Sequence, residues 1–474
     1  MNIDSKWVNL LLILFLFLPI DNTHAQEVEE PEGPVYIVQQ GDTLWDIAQR
    51  FGVSMDDLAN INQINEPNQL QVGSQLIIPG MQGLNGILTT RTVSIGETVR
   101  SMSRKHQVRL DQLERLNHLT SPNELYIGSS LILPESDDTN STQGERATLQ
   151  TGMSLLEIAV TKDINPWTPV LINNLAGSWG ALPGEILYLP GVNDDGPGAL
   201  PKEIKQIELK SLPLTQGKTA SVRLTSDLMI SLTGSLAGEE LNFFRDTDNS
   251  LIALQGVHAL IEPGLHSLTL KGEFPDGTPF GISQMVFVQD GQYPYDRPLI
   301  VDPDTIDPAV TEPEDKLWES LSSSASPDKL WNDVFQIPSP LPADYCLETG
   351  DCWSSRFGNR RSYNGGPYDH FHTGLDIVGM IGREIFAPAP GIVVYSGEMT
   401  VRGKATMINH GWGVYTAYLH QSEIFVKAGE QVETKQLIGL IGNTGRVEGP
   451  HLHWEVIVGG IPVDPLEWLL KTFP

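Results

Sequence analysis

The chain has 474 residues, too many for one hydrophobic core, so three or more domains are expected. Its apolar content of 40% excludes wholesale disorder. A net charge of −29 argues against nucleic acid as a partner, because phosphate binding needs Lys and Arg clustered on one face.

In chain order, Lys6 precedes an apolar run from Trp7 to Ile20, and Thr23-His24-Ala25 before Gln26 has the form of a cleavage site. Residues 1–25 therefore read as a secretory signal peptide. The run is shorter than the ~20 residues a membrane span needs, so cleavage is favoured over anchoring. No Cys lies near the junction to carry a lipid and no later segment is apolar enough to span, so no stable membrane anchor is expected after cleavage. The location implied is extracytoplasmic. Export permits a disulfide, and Cys346 and Cys352, the two cysteines of the chain, read as a short loop bridge in preference to two free thiols.

After a Glu/Pro/Gly-rich linker (26–35) comes an internal repeat. Aligning Gly41, Gly96 and Gly152 places apolar residues at +3 (Leu44, Val99, Leu155) and +6 (Ile47, Met102, Ile158). The same alignment places Asn at +21 (Asn62, Asn117, Asn173), Gly at +32 (Gly73, Gly128, Gly184) and Pro at +38 (Pro79, Pro134, Pro190). Three copies without a spacing change mark repeated modules at 36–80, 91–135 and 147–191. Each parses as βααβ. In the first, Asp42 or Thr43 can cap a helix carrying Leu44, Ile47 and Ala48, and Ser54 can cap a second.

The string Tyr-Ile-Val-Gln-Gln-Gly-Asp-Thr-Leu-Trp-Asp-Ile-Ala resembles the LysM carbohydrate-binding domain. The second unit matches more loosely. The third departs most, lacking an acidic residue after its Gly and carrying Pro166 and Pro169 where its second helix should start. The resemblance implies binding of glycans such as peptidoglycan between the loop after the first strand and the loop before the last. Gly41, Asp42 and Thr43, and Gly96, Glu97 and Thr98, are the glycan-binding candidates. For the third unit a packing role that binds nothing stands beside that reading. Weak modules repeated on one chain would gain affinity through effective concentration.

Residues 203–290 change character. Segments such as Ala220-Val222-Leu224 and Leu265-Ser267-Thr269 alternate between Gly and Pro turns, which predicts a β-sandwich-like spacer domain, or a wall beside an active site. His258 and His266 read as ordinary structural or surface histidines. Residues 301–345 read as a linker, with a short helix possible over Lys316–Leu321.

The final segment, 346–474, is Gly-rich and strand-like, with Ile392–Tyr395, Thr406–Asn409, Val414–Tyr418 and Leu437–Leu440 as strands of a mostly antiparallel β domain. Six of the chain's 11 histidines fall in it. If Leu452–Val458 is a strand, His451, His453 and Glu455 share one face and Leu452, Trp454 and Val456 the other. His372 and Asp376 are also an even number apart, though Gly374 could bend the segment between them.

Phe-His-Thr-Gly-Leu-Asp-Ile, Tyr-Leu-His, and Gly-Asn-Thr-Gly-Arg followed by Gly-Pro-His-Leu-His-Trp-Glu-Val resemble the M23 family of zinc metallopeptidases, the LytM or lysostaphin type. The resemblance covers about Ser354 to Pro465. It implies one Zn²⁺ per catalytic domain, held by His372, Asp376 and His453, with His420 and His451 acting on the water and the tetrahedral intermediate. His370 and His410 fall off the functional positions, and Glu455 is a candidate to orient a ligand.

The expected fold is multidomain α+β and all-β: LysM-type repeats, a β-sandwich-like middle domain and a mostly antiparallel β catalytic domain. The expected function is a secreted zinc metalloendopeptidase that hydrolyses peptide cross-links of bacterial peptidoglycan and is anchored by its repeats. The alternative is a non-catalytic peptidoglycan-binding protein or an activator of other wall hydrolases.

Overall fold

The computed structural model describes residues 33–66, 70–81, 86–121, 124–135, 144–192 and 194–474. The signal-peptide reading of 1–25 lies outside these. Among the described residues no helix is long and apolar enough to cross a membrane.

Each repeat has two short helices between two strands. The first runs Val35–Ile37, Leu44–Phe51, Met55–Ile61, Gln75–Ile77, and the second Ile87–Thr92, Val99–Lys105, Leu110–Leu116, Ser130–Glu135. The third runs Gly144–Thr148, Leu155–Thr161, Thr168–Ile172, Ile186–Pro190. Thr43, not Asp42, caps the first helix by accepting from the Asp46 N–H, and Ser54 caps the second. In the third repeat Pro169 falls in the first helical turn, where its missing N–H costs nothing, so the helix forms despite it.

The repeated Asn has one structural job. Asn62 donates to the Leu58 and Ile77 carbonyls and accepts from the Ile77 N–H; Asn117 does the same with Leu113 and Ile132. Asn173 repeats it with Pro169 and Tyr188. The side chain thus supplies partners for a helix end and for the last strand, groups that burial would otherwise leave unpaired. Repeats one and two share a four-stranded sheet, in which Val35–Ile37 pairs parallel with Ile87–Thr92.

Residues 204–289 form a five-stranded and a four-stranded sheet. Val222, Leu224 and Ala253 of the smaller sheet share one core with Leu268, Leu270 and Val286 of the larger. Ile95 and Ile127 of the second repeat enter that core, and the Ile127 N–H donates to the Met285 carbonyl at 2.8 Å. On its opposite face the smaller sheet contributes Ile252 and Leu254 to the core of the C-terminal domain. Lys218 pairs with Asp464 at 2.6 Å, and Trp468 Nε1 donates to Thr219 Oγ1 at 3.2 Å. The middle region is therefore wedged between repeat two and the last domain, with apolar contacts on both sides.

The C-terminal domain is built on a ten-stranded sheet whose pairings are all antiparallel. Its spine runs, neighbour to neighbour, Trp353–Ser355, Leu375–Val378, His451–Val458, Val414–Ile424, Gly403–Gly411, Gly391–Met399. Trp331, Phe335, Trp454 and Trp468 fill the core behind it. Cys346 and Cys352 are bonded to each other at the domain's entry.

The segment read as a linker with a short helix over Lys316–Leu321 carries a longer helix than that. It holds a 15-residue helix, Pro308–Ser322, capped by Asp307 and packed on the catalytic sheet. Its docking is largely polar: Glu314 accepts from the Val401 and Arg402 N–H groups, and Trp318 is the large apolar side chain it buries. A helix held this way lacks the wide apolar stripe by which sequence patterning finds helices.

Candidate active site

Asp376 and His453 face each other across paired strands, and His372 closes the set from the turn before Leu375–Val378. His372 Nε2, Asp376 Oδ1 and His453 Nδ1 lie 2.9 Å from one another on every side of the triangle. Gly374 makes this approach possible, since a Cβ there would sit 2.4 Å from the Trp454 carbonyl oxygen and 2.9 Å from His453 Nε2. Each imidazole has its other nitrogen committed. His372 Nδ1–H donates to the Arg356 carbonyl at 2.9 Å, and His453 Nε2–H to Glu455 Oε1 at 3.1 Å. Two imidazole nitrogens and a carboxylate oxygen thus converge on one point, an arrangement that repels itself unless a cation or a shared proton sits among them. The donor set fits zinc: N and O donors from three residues that line an open cleft.

Without an ion the triad holds itself together by sharing protons. Burial pushes the His372 imidazole down to about 4. Asp376, though burial opposes it, is held well below the usual carboxylate range by His372 and His453. Burial would lower His453 too, but its hydrogen bonds to Asp376 and Glu455 outweigh that and raise it to about 9. Glu455 is lowered to about 2 because the His453 hydrogen bond and charge overcome its burial.

His420 and His451 stand beside this set with ring centroids 5.2 Å apart, and His420 lies 6.0 Å from His453. Both are oriented alike. His420 Nδ1 donates to the Thr444 carbonyl and His451 Nδ1 to the Gly449 carbonyl, each at 2.8 Å, so both turn Nε2 to the cleft. His420 is held at φ 64°, a left-handed conformation rare for a residue with a side chain, and burial pushes its pKa down to about 3.

All five residues line one cleft of about 1220 Å³. Glu455 lines it as well and accepts from His453 Nε2 at 3.1 Å. His370 is exposed beside Asp369, and His410 is buried elsewhere, between the Pro390 carbonyl and Thr416 Oγ1. His258, read as a structural or surface histidine, accepts from the Leu260 N–H at 3.1 Å and is carried by the middle region to the cleft, edge-on to Phe371 at 5.4 Å. No neighbouring motif marks it in the sequence. Sequence reading also missed Trp318, which donates to Glu455, and the arginines Arg361, Arg402 and Arg446 on the cleft wall.

The two sets of glycan candidates are placed differently. Space around Gly41 and Gly73 of repeat one is open, as it is around Gly152 and Gly184 of repeat three. Asp42 is occupied by Tyr36, Arg50 and the Gln39 N–H, a structural role. Gly96, Glu97 and Thr98 are corrected: their loop is docked on the middle region. The Gly96 N–H donates to Gln284 Oε1 at 2.6 Å, Gln284 Nε2 donates to the Glu97 carbonyl, and a Cβ on Gly96 would meet Pro197 at 2.5 Å. The repeat pattern could not show this, because the partner lies 187 positions away in sequence.

Residues 370–465 match the model of peptidase family M23, and residues 36–79 and 92–134 match that of the LysM domain. The peptidoglycan DD-endopeptidase ShyA of Vibrio cholerae is 42% identical over 114 residues, 24% of this chain and 26% of the relative. The DD-carboxypeptidase/endopeptidase Mpg of Neisseria meningitidis is 39% identical over 122 residues, 25% of this chain and 27% of the relative. The matches thus span about a quarter of the length of these relatives. A crystal structure of an M23 peptidase from Pseudomonas aeruginosa overlaps 56% of this chain and 97% of its own, at 25% identity and a TM-score of 0.41.

Proposed function

From a chain with an M23 peptidase domain behind two LysM domains, we propose a secreted zinc metalloendopeptidase that hydrolyses peptide cross-links of bacterial peptidoglycan. The observation that carries this is the 2.9 Å triangle of His372, Asp376 and His453 donor atoms, with both imidazoles' remaining N–H groups tied to oxygens. The DD-endopeptidase names of the relatives support peptidoglycan as substrate, and the LysM match supports anchoring on its glycan.

Zinc bound by the triad supplies a Lewis acid for the scissile carbonyl and acidifies an attacking water. The chain's own residues do the rest. Glu455 and the Arg356 carbonyl fix which nitrogen of each ligand imidazole is bare. His420 and His451 present Nε2 from a fixed orientation: one, neutral, takes the proton of the water and passes that same proton to the leaving amine, and the other, protonated at Nε2, stabilises the oxyanion. Neither has to reorient, because each Nδ1–H is already held by a carbonyl. The middle region, read as a sandwich of two sheets, forms one wall of the cleft through His258 and Leu260. A complete ligand and proton-handling set favours catalysis over an activator role.

The test is digestion of purified peptidoglycan by the full chain, with and without chelator, and by His453→Ala, followed by mass analysis of released fragments. Release of cross-link fragments by the untreated protein alone is the expected result. Equal release in all three conditions rejects the metallopeptidase reading.

A further inference from the structure

Four arginines line the cleft of this strongly acidic chain: Arg297 is exposed to solvent, Arg361 and Arg402 are neutralised by carboxylates, and Arg446 is half-buried. Arg361 reaches Asp376 Oδ2 at 3.3 Å and Asp296 Oδ2 at 3.6 Å, and Arg402 reaches Asp315 Oδ1 at 2.8 Å and Glu314 Oε2 at 3.6 Å. Arg446 has no carboxylate within 4 Å among the described residues. Its Nη1 donates to the Thr305 carbonyl at 3.0 Å, its Nη2 reaches Tyr363 OH at 3.4 Å, and its guanidinium carbon sits 4.3 Å from the Tyr363 ring centroid. The side chain is half-buried, and burial together with the nearby positive charge of Arg361 and Arg402 lowers its pKa.

The loop that carries Arg446 is fixed to the catalytic residues at both ends. Thr444 accepts the Nδ1–H of His420, the Arg446 N–H donates to the Val401 carbonyl at 2.8 Å, and His451 opens the strand that follows. A partly desolvated guanidinium, braced by a ring and a carbonyl but lacking a counter-ion, is arranged to receive a planar anion. The anion must reach it from a substrate lying in the cleft with its scissile amide at the triad. Glu448, the nearest acidic residue in sequence, is exposed to solvent.

We propose that Arg446, backed by Tyr363 and the Thr305 carbonyl, is the subsite for a free carboxylate of the cross-linked peptide. The carboxylate belongs to a residue flanking the scissile amide. This rests on the hydrolase reading and narrows its substrate. A direct cross-link, whose leaving amine comes from a diamino acid with its own free carboxylate, carries such a group beside the bond; a glycine bridge carries none. Arg446 then selects direct cross-links.

The test uses the zinc-loaded full chain and two branched peptides that differ in one group: the diamino-acid carboxylate on the leaving-amine side is free in one and a primary amide in the other. The free acid is expected to be hydrolysed with a kcat/KM about tenfold or more above the amide. Arg446→Gln should bring the ratio close to one, and Arg446→Lys should keep part of it. A wild-type ratio near one while both peptides are cleaved overturns the subsite and leaves the hydrolase reading standing, as does a full preference retained by Arg446→Gln. Failure to cleave either peptide or whole peptidoglycan overturns both. The wild-type ratio decides the matter even if a variant does not fold.

Discussion

Trp318 Nε1 donates to Glu455 Oε2 at 3.0 Å, so a helix outside the matched peptidase residues holds the carboxylate that accepts from His453 Nε2. The other oxygen of Glu455 accepts from both Thr373 Oγ1 and His453 Nε2. Removing the indole N–H frees one side of that carboxylate without touching the donor triangle. Partners of this kind typically change metal affinity 10- to 100-fold. Trp318→Phe should therefore weaken zinc retention by about tenfold in chelator competition, with Glu455→Gln weaker still. Retention equal to wild type in both would show that the helix merely packs.

His420 and His451 should separate from the ligands by what their loss leaves intact. Either residue changed to Ala is expected to lower kcat by ~10²–10⁴-fold, the usual contribution of a positioned acid or base. Metal content should stay at one ion per chain, because neither side chain belongs to the 2.9 Å triangle. Loss of the ion in His420→Ala or His451→Ala would move that residue into the metal cage.

Much of this site was legible in the sequence, because strand alternation carries it. The two-residue period of His451, His453 and Glu455 became one face of a strand, and the repeated Asn became the same clamp in all three modules. What stayed hidden depends on long-range packing. Trp318 meets Glu455 across 137 positions, and His258 reaches the cleft only because the middle sheets dock on the peptidase domain. The helix Pro308–Ser322 was foreseen only over Lys316–Leu321, because Glu314, a charged residue, does much of the anchoring of its first half. Likewise the Gly-Glu-Thr string of repeat two looks like that of repeat one until Gln284 is found against it.

That docking makes the repeats unequal. Glu97→Ala should leave sedimentation with insoluble peptidoglycan within about twofold of wild type, since its loop faces protein. Gln284→Ala leaves the Gly96 N–H and the Glu97 carbonyl without their partner, which should cost ~1–3 kcal/mol in denaturant unfolding. A several-fold loss of sedimentation in Glu97→Ala with unchanged stability would restore that loop as a glycan contact.

His410 sets an acid limit on the fold that is independent of catalysis. It is fully buried, donates Nδ1–H to the Pro390 carbonyl at 2.7 Å, accepts from Thr416 Oγ1 at 2.8 Å and packs on Phe335. Burial lowers its pKa to about 4, against ~6.5 in an unfolded chain. The folded value lies below the unfolded one, so the unfolded chain takes up the proton first as pH falls. The stabilisation is complete above pH ~6.5 and disappears progressively toward pH ~4. At pH 4.5 the loss from this one group is on the order of 2–3 kcal/mol. His410→Gln, which cannot titrate, should be less stable than wild type at pH 7.5 and should close most of that gap by pH 4.5 in parallel denaturant titrations. A difference between the two proteins that stays constant across this range would mean that His410 does not titrate with folding.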